Sequence, residues 1–411
     1  MIIFIIINKN PYYESSASAN RWRSLIEALN NYSVIHIELI IIGGYSTKTE
    51  KQELKAHGNH LGINYQYWNT VINETIWQRR FNKYLLLPIF KKIIKQKALH
   101  YFKDKNDGIV WTDSSIIGFE MAMALKKTEY KLKFFIEMSE YLDINQYNKG
   151  NFLHRGEGNR RQKLFEKEVF HILDSLALMT RTLYNHYESF PNPQPKLLHL
   201  PMTVDLERFE NIARAPEEFQ QPYIAFVGVM NDAKDGVGNL IKAFNLIKDQ
   251  FLEHKVYLVG AWNYDTPIHL ELIKTFGLED RVFWMKEYSR DAIPSIIGNA
   301  DLLALPRPDS KQAQGGFPTK LGEYLATGKP VCATSVGELP DYLTDNESVF
   351  FAQPGSVDSF ADAMHRALSE PENAKRVGMN GKQVAQKEFN KDIQAKKLHQ
   401  FLLELQDEKN D

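Results

Sequence analysis

Residues 315–341, from Gly315 to Asp341, read GGFPTKLGEYLATGKPVCATSVGELPD. A glycine pair and Pro318-Thr319-Lys320 lead into a short helical pattern carrying Lys320 and Glu323, and Thr327-Gly328-Lys329-Pro330 ends it. Val331-Cys332-Ala333-Thr334 is a short apolar strand, and Gly337-Glu338-Leu339-Pro340-Asp341 opens the next helix. A glycine-rich loop ahead of a helix presents backbone N–H groups at the positive end of the helix dipole, which suits phosphate. Glu323 lies about one turn into the helix, so its carboxylate can face the same cleft and accept hydrogen bonds from ribose hydroxyls. Glycines before a helix are more often ordinary loop chemistry. The ordered run of elements is the more specific signal.

Outward from this stretch the same rhythm continues. Tyr223 to Gly228 is an apolar strand ending in glycine, followed by a polar loop with Asn231, Asp232 and Lys234. Leu240, Ile241, Phe244 and Ile247 then share one face of a helix. Lys255 to Gly260, Arg281 to Trp284 and Ala300 to Leu305 are further strands, the second followed by Met285 and the third by Pro306-Arg307-Pro308. Strands alternating with helices predict a parallel, doubly wound α/β sheet. Ligands of such sheets bind beyond the carboxyl ends of the strands, where all these motifs fall.

The run resembles the nucleotide-sugar site of GT-B-fold glycosyltransferases, in particular family 4 of retaining enzymes, the glycosyl transferases group 1. In that family a helix carries a glutamate for the donor ribose and a nearby lysine for its phosphates. Glu323 and Lys320 occupy those positions. The family's G-R-x-x-x-x-K pattern, whose basic residues contact the donor phosphates, is met by Gly228 and Lys234, with Val229 in place of the arginine. Of the E-x7-E pair, Glu323 is the second member and Gly315 stands where the first would be, so Gln314, Gly316 and Phe317 become the sugar-facing positions. The resemblance implies two Rossmann-like doubly wound parallel-sheet domains facing a central cleft. The donor side it implies comprises Gly228, Lys234, Gly260, Met285, Arg307, Gly315, Gly316, Phe317, Thr319, Lys320 and Glu323.

The N-terminal half keeps the α/β rhythm. Met1 to Ile7 is too short to span a bilayer, which takes roughly 20 apolar residues, and has no basic segment before it, so it reads as a buried first strand. A polar loop runs to Asn20 and a helix from Arg21 to Asn30; Ser33–Ile42 and Lys131–Met138 read as strands, Asp107 to Ser115 as a strand followed by a polar loop, and Asp174–Arg181 as strand-like with a helix after it. Pro201 to Phe209 resembles the family's P-N-G-V-D-x-x-x-F signature. The expected division is residues 1–205 for the acceptor, a linker at 206–222, residues 223–388 for the nucleotide sugar, and a helix in 389–411 returning to the first domain. Acceptor-side candidates are Ser18, Asn20 and Arg21 in the first loop and Asp113 after a strand; Glu137 and Glu140, at a strand end, join Lys234 and Lys320 as candidate catalytic residues. Ser and Asn there are more often turn formers, and paired acids more often a solvated surface.

Composition bounds the rest. The chain has 411 residues, 43% hydrophobic, enough for two to three domains of about 150 residues. A net charge of −1 gives no nucleic-acid footprint. The one cysteine, Cys332, reads as a small buried hydrophobe and fits a cytoplasmic protein. Residues 77–105 are strongly basic: Arg79, Arg80, Lys83, Lys91, Lys92, Lys95, Lys97, Lys103 and Lys105 are interleaved with apolar residues, and Pro88 divides the segment into two helices. Such a segment can lie on anionic lipid at the inner face of the plasma membrane, or be an ordinary surface helix. Arg155, Arg160, Arg161, Lys163 and Lys167 form a second basic cluster. No Asp-x-Asp sequence and no ligand-spaced His/Cys cluster occurs, so no metal and no other cofactor are expected.

The implied activity is a retaining hexosyltransferase of class EC 2.4. It would move a sugar from a nucleoside-diphosphate sugar, UDP favoured over GDP, to a hydroxyl of a glycan or lipid-linked acceptor in bacterial surface polysaccharide or lipopolysaccharide assembly. Two other readings use the same residues: a non-hydrolysing sugar-nucleotide epimerase, and a partner subunit that binds nucleotide sugar without chemistry, toward which Val229 and Gly315 point.

Overall fold

The computed structural model describes residues 1–14, 16–82, 87–105, 107–142 and 152–407. The chain divides into two compact units, the first from the described parts of Met1–Asp143, Phe152–Leu200 and Gln394–Asp411, the second including Pro201–Ile393.

The first unit contains β1 (Ile2–Ile7), β2 (His36–Ile41), β3 (His57–His60), β4 (Ile63–Tyr67), β5 (Asp107–Thr112), β6 (Lys131–Met138), β7 (Ser175–Leu178) and β8 (Lys196–His199). They form one sheet in the order β3-β4-β2-β1-β5-β6-β7-β8, parallel except for the antiparallel pair β3 and β4 at one edge. β1 is an almost pure isoleucine run because both its faces are covered. Ile3, Ile5 and Ile7 enter one core with Trp111 and Phe135, while Phe4 and Ile6 enter the other with Val110 and Phe134. The first core is closed by the helix Ala17–Asn30 and by the last helix, Lys391–Asp407, through Ala395, Leu398, Leu402 and Leu405 at helical spacing. The second is closed by the helices Leu87–Phe102 and Ile116–Lys126.

The second unit contains β9 (Tyr223–Val227), β10 (Lys255–Val259), β11 (Val282–Met285), β12 (Leu302–Leu305), β13 (Val331–Thr334) and β14 (Phe350–Ala352). These pair in parallel in the order β11-β10-β9-β12-β13-β14. The expected doubly wound parallel sheets are therefore present in both halves. The strand order reverses between β1 and β5 in the first sheet and between β9 and β12 in the second, which opens a crevice at the carboxyl ends of those strands.

One local reading differs from expectation. The first helix begins at Ala17, because the Ser16 hydroxyl accepts from Ala19 N–H at 3.2 Å and caps it, so Ser18, Asn20 and Arg21 lie on a helix and not in a loop. The basic segment does hold two helices, Ile76–Phe81 and Leu87–Phe102, and Pro88 falls in the first turn of the second, where its missing N–H costs nothing. Residues 206–222 are packed against the second unit: Phe209 and Phe219 are buried, and Phe219 lies 4.9 Å from the ring of Tyr257. Among the described residues no helix is long and apolar enough to cross a membrane.

Candidate active site

In the second unit, Gly228 directly follows β9 and Gly260 directly follows β10. Gly228 has φ +149°, and a Cβ there would stand 2.5 Å from Lys320 Nζ. A Cβ on Gly260 would stand 2.0 Å from the Gly228 carbonyl oxygen. Only glycines let the two strand ends and the lysine meet this closely. Lys320 is the second residue of the helix Thr319–Thr327, whose N-cap position, Pro318, makes no side-chain cap. Its ammonium lies 2.8 Å from Asp235 Oδ1 and 4.4 Å from the ring centre of Phe226. Burial pushes the Lys320 ammonium below its ordinary value; Asp235 opposes this, and the nearby Lys234 and Arg307 charges add to it.

Other bonds fix the loops around Lys320. Buried Arg307 donates from Nε to the Lys234 carbonyl and from Nη1 to the Gly316 carbonyl, both at 3.3 Å, and so joins the loop after β9 to the glycine pair. Asn231 Oδ1 accepts from Lys234 N–H at 3.0 Å. Asp232 Oδ1 accepts from Gly238 N–H at 2.7 Å and lies 2.8 Å from His269 Nε2. Burial alone would raise the Asp232 carboxyl, but these two bonds outweigh it and hold the group below its ordinary value. One turn beyond Lys320, Glu323 Oε1 accepts from Arg208 Nη1 at 2.7 Å.

The first unit has its own cavity, of about 250 Å³, at the carboxyl ends of β1, β5 and β6. Asn8, Ser18, Asp113, Glu137, Glu140 and Arg161 are among its lining residues. Arg21 Nε donates to Glu137 Oε1 at 2.7 Å and Arg21 Nη2 to the Leu200 carbonyl at 2.8 Å, with both side chains buried. Asp113 Oδ2 accepts from Asn8 N–H at 2.9 Å and Oδ1 from Ser115 N–H at 3.2 Å. Burial pushes its carboxyl up, against the pull of these bonds.

Two glycine-ended strands and a lysine at an uncapped helix start thus converge beyond the carboxyl edge of the second sheet. Residues 207–384 match the family of glycosyl transferases group 1. The second unit carries a group 1 glycosyl transferase domain. The GDP-mannose-dependent alpha-(1-6)-phosphatidylinositol monomannoside mannosyltransferase of Mycobacterium tuberculosis is 25% identical over 56% of this chain and 61% of its own. The chain spans 33 to 61% of the length of the first curated relatives it matches. Sucrose-phosphate synthase from Thermosynechococcus elongatus superposes with a TM-score of 0.75 at 15% identity, covering 98% of both chains. Anabaena HepE in complex with UDP superposes with a TM-score of 0.67 at 13% identity, covering 98% of this chain and all of that one (100%). The fold is the one these structures share.

The group 1 domain brings Gly228, Lys234, Gly260, Arg307, Gly316 and Lys320 together through the bonds and close approaches described. Thr319 begins the lysine's helix, Gly315 ends the short helix before it, and the Met285 carbonyl accepts from Gly260 N–H at 3.2 Å. Phe317 departs from its expected sugar-facing role in its side chain, which is buried 5.2 Å from the ring of Phe389 and 5.8 Å from that of Tyr342; the apolar ring gains more from that cluster than from solvent. In the first unit, Ser18, Asp113, Glu137 and Glu140 share the cavity, and Arg21 reaches it through Glu137, whereas Asn20 does not line it. Sequence reasoning missed Asp235 and Arg208, and named Arg161 only as part of a basic cluster and not as a cavity residue. Only Asp235 left a local signal, one residue from Lys234.

Lys83, Tyr84, Leu85 and Leu86 of the basic segment lie outside the described residues, as do the side chains of Arg80, Pro88 and Arg155. Of the rest, Lys91 pairs with Glu120 at 2.9 Å and Lys105 with Glu38 at 3.1 Å. Lys92, Lys95 and Lys97 are exposed, as are Trp77 (80%), Phe81 (54%), Ile89 (58%) and Ile93 (40%).

Proposed function

We propose that this chain is a retaining glycosyltransferase that moves a hexose from a nucleoside-diphosphate sugar to a hydroxyl of a glycan or lipid-linked acceptor, in the assembly of a surface polysaccharide. The observation that carries the reading is the approach of Lys320 to Gly228 within the group 1 domain, beside Lys234 and Arg307. Negative charge grows on the leaving diphosphate as the glycosidic bond breaks. Lys320, Lys234 and the N–H groups at the uncapped helix start would meet that charge in the transition state, where it counts toward rate. Glu323 would hold the ribose, and Glu137, Glu140 and Asp113 would form the acceptor side. A hexose donor is supported by the likeness to the GDP-mannose-dependent mannosyltransferase. Support for the base divides, since one relative's name carries GDP-mannose and one structural neighbour holds UDP.

A thermal-shift panel of UDP, GDP, ADP, dTDP and their sugars tests the donor site. A ligand at about a hundred times its dissociation constant adds about 2.7 kcal/mol. One base should stabilise the wild type, and K320A and E323A should lose both that shift and turnover while staying folded. Wild-type turnover in either variant refutes the assignment. Conversion of donor sugar without an acceptor, followed by NMR, would indicate the epimerase instead.

The exposed Trp77, Phe81, Ile89 and Ile93, with the exposed Lys92, Lys95 and Lys97 in the same basic segment, support contact with an anionic membrane surface at the cytoplasmic face. Co-sedimentation with phosphatidylglycerol vesicles but not phosphatidylcholine vesicles, weakened by salt and by K92E/K95E, is the expected result. Equal behaviour with both lipids removes the membrane from the proposal.

A further inference from the structure

We infer that Arg208 is a positioning residue that presents Glu323 to the donor ribose, an inference that rests on the ribose-holding role proposed above. Arg208 lies in the turn Leu206–Phe209. Its Nη1 donates to Glu323 Oε1 at 2.7 Å and its Nη2 to the Arg290 carbonyl at 2.6 Å, and its guanidinium stands 5.4 Å from the ring centre of Phe209. Both partners of the ion pair are largely buried.

The turn is itself fixed from behind. Val204 N–H donates to the Phe389 carbonyl at 2.7 Å and Lys391 N–H to the Val204 carbonyl at 3.1 Å. Lys391 Nζ lies 2.8 Å from Asp205 Oδ1 and 3.5 Å from Glu207 Oε2. The segment that carries the arginine is thus tied to residues 389–391 through Val204, Asp205 and Glu207, and the arginine's head is held by the Arg290 carbonyl. An exposed pair of long side chains gains little, because it must order both. Here the arginine is already ordered, so it fixes the carboxylate before any ligand arrives and lowers the ordering cost of binding. The recorded bond uses Oε1 alone. Oε2 has no partner among the described residues and is left to accept from a ribose hydroxyl.

The test separates positioning from simple stability by reading the ribose directly. Binding of UDP and GDP, each against its 2′-deoxy counterpart, is measured by calorimetry on the full chain for wild type, E323A, R208M, R208Q, R208K and R208M/E323A. Wild type should prefer the ribonucleotide of its base by about tenfold, the weight of one hydrogen bond to a charged group. E323A, R208M and R208Q should each lose that preference, R208M/E323A should lose no more, and R208K should keep part of it. If R208M does not fold, R208Q and R208K carry the comparison. Arg208 variants that keep the wild-type ratio while E323A loses it overturn this inference alone. A ratio unchanged in E323A overturns the reading of Glu323 and this inference with it.

Discussion

Replacing Asp235 with asparagine isolates the electrostatics of the group 1 domain. The substitution keeps shape but removes the only carboxylate hydrogen-bonded to Lys320 among the described residues, leaving an ammonium beside Lys234 and Arg307. Breaking one side of a buried pair costs about 3–5 kcal/mol, because the survivor stays desolvated and uncompensated. The Lys320 side chain keeps 18% of its exposure, so the lower end, about 3 kcal/mol, is the better figure. In a domain of this size that is a fall of about 6–12 °C in melting temperature. The deficit has a definite pH dependence. Burial already holds the lysine below its ordinary 10.5, and loss of Asp235 moves it further down. A cation whose folded pKa lies below its unfolded pKa penalises folding while charged, so the deficit of D235N should shrink as pH rises through the lysine's folded value. K320M added to D235N should restore most of the lost stability at neutral pH. Calorimetry at pH 7 and pH 9 on the single and double variants reads all of this. A D235N protein that melts like wild type, or a double variant no more stable than D235N, would refute the reasoning.

Gly228→Ala places a Cβ 2.5 Å from Lys320 Nζ in a backbone region that L residues avoid; urea denaturation should show a loss of about 2 kcal/mol, and donor affinity should fall because the ammonium must leave Asp235. Asp232→Ala removes the cap on Gly238 N–H and should cost about 1 kcal/mol at pH 7. Because the Asp232 carboxyl is held below its ordinary 3.8, its contribution is complete above that pH and disappears as pH falls through its folded value, so the difference from wild type should close only in strong acid. Cys332 is fully buried with its thiol pushed up by burial, so the native protein should react with a thiol reagent only at the rate of unfolding; fast labelling would contradict its packing.

What could be read in the sequence was what local pattern encodes. The strands β9, β10, β12 and β13 are short apolar runs with turn or loop residues at their ends, and a strand buried on both faces leaves that trace. β3 and β4 were missed because His57–His60 is exposed and almost without apolar residues, and the turn between them uses Leu61 with φ 52° ahead of Gly62, a leucine where a hairpin usually shows asparagine. The early start of the first helix was hidden among several small polar residues, any of which could cap. Lys320 and Glu323 were legible from their place in a motif, but their partners were not. Asp235 is 85 residues from Lys320, and Arg208 is 115 residues from Glu323. Nothing in composition or spacing announces which carboxylate a distant cation will meet, since the sheet topology decides it.

Those long-range partners change how the proposed chemistry should be understood. A site that met a diphosphate with unpaired lysines would have to order them on binding and would hold like charges together when empty. In this chain the charged groups are already answered. Lys320 is balanced by Asp235 and stacked on Phe226, and Glu323 is balanced by Arg208. An incoming nucleoside diphosphate would therefore bind to groups already in place, and the developing charge on its leaving oxygen would meet dipoles and cations that need no rearrangement at the moment of reaction. The cost is competition, because Asp235 holds on Lys320 the same charge that the phosphate needs. K320R would keep the charge but move it onto a larger fork that cannot fit beside Gly228. It should fold, bind the nucleotide several-fold more weakly, and lose turnover nearly as K320A does. A K320R enzyme with wild-type turnover would mean that any cation near the phosphates suffices, and that the close approach of Lys320 to Gly228 has no part in the chemistry.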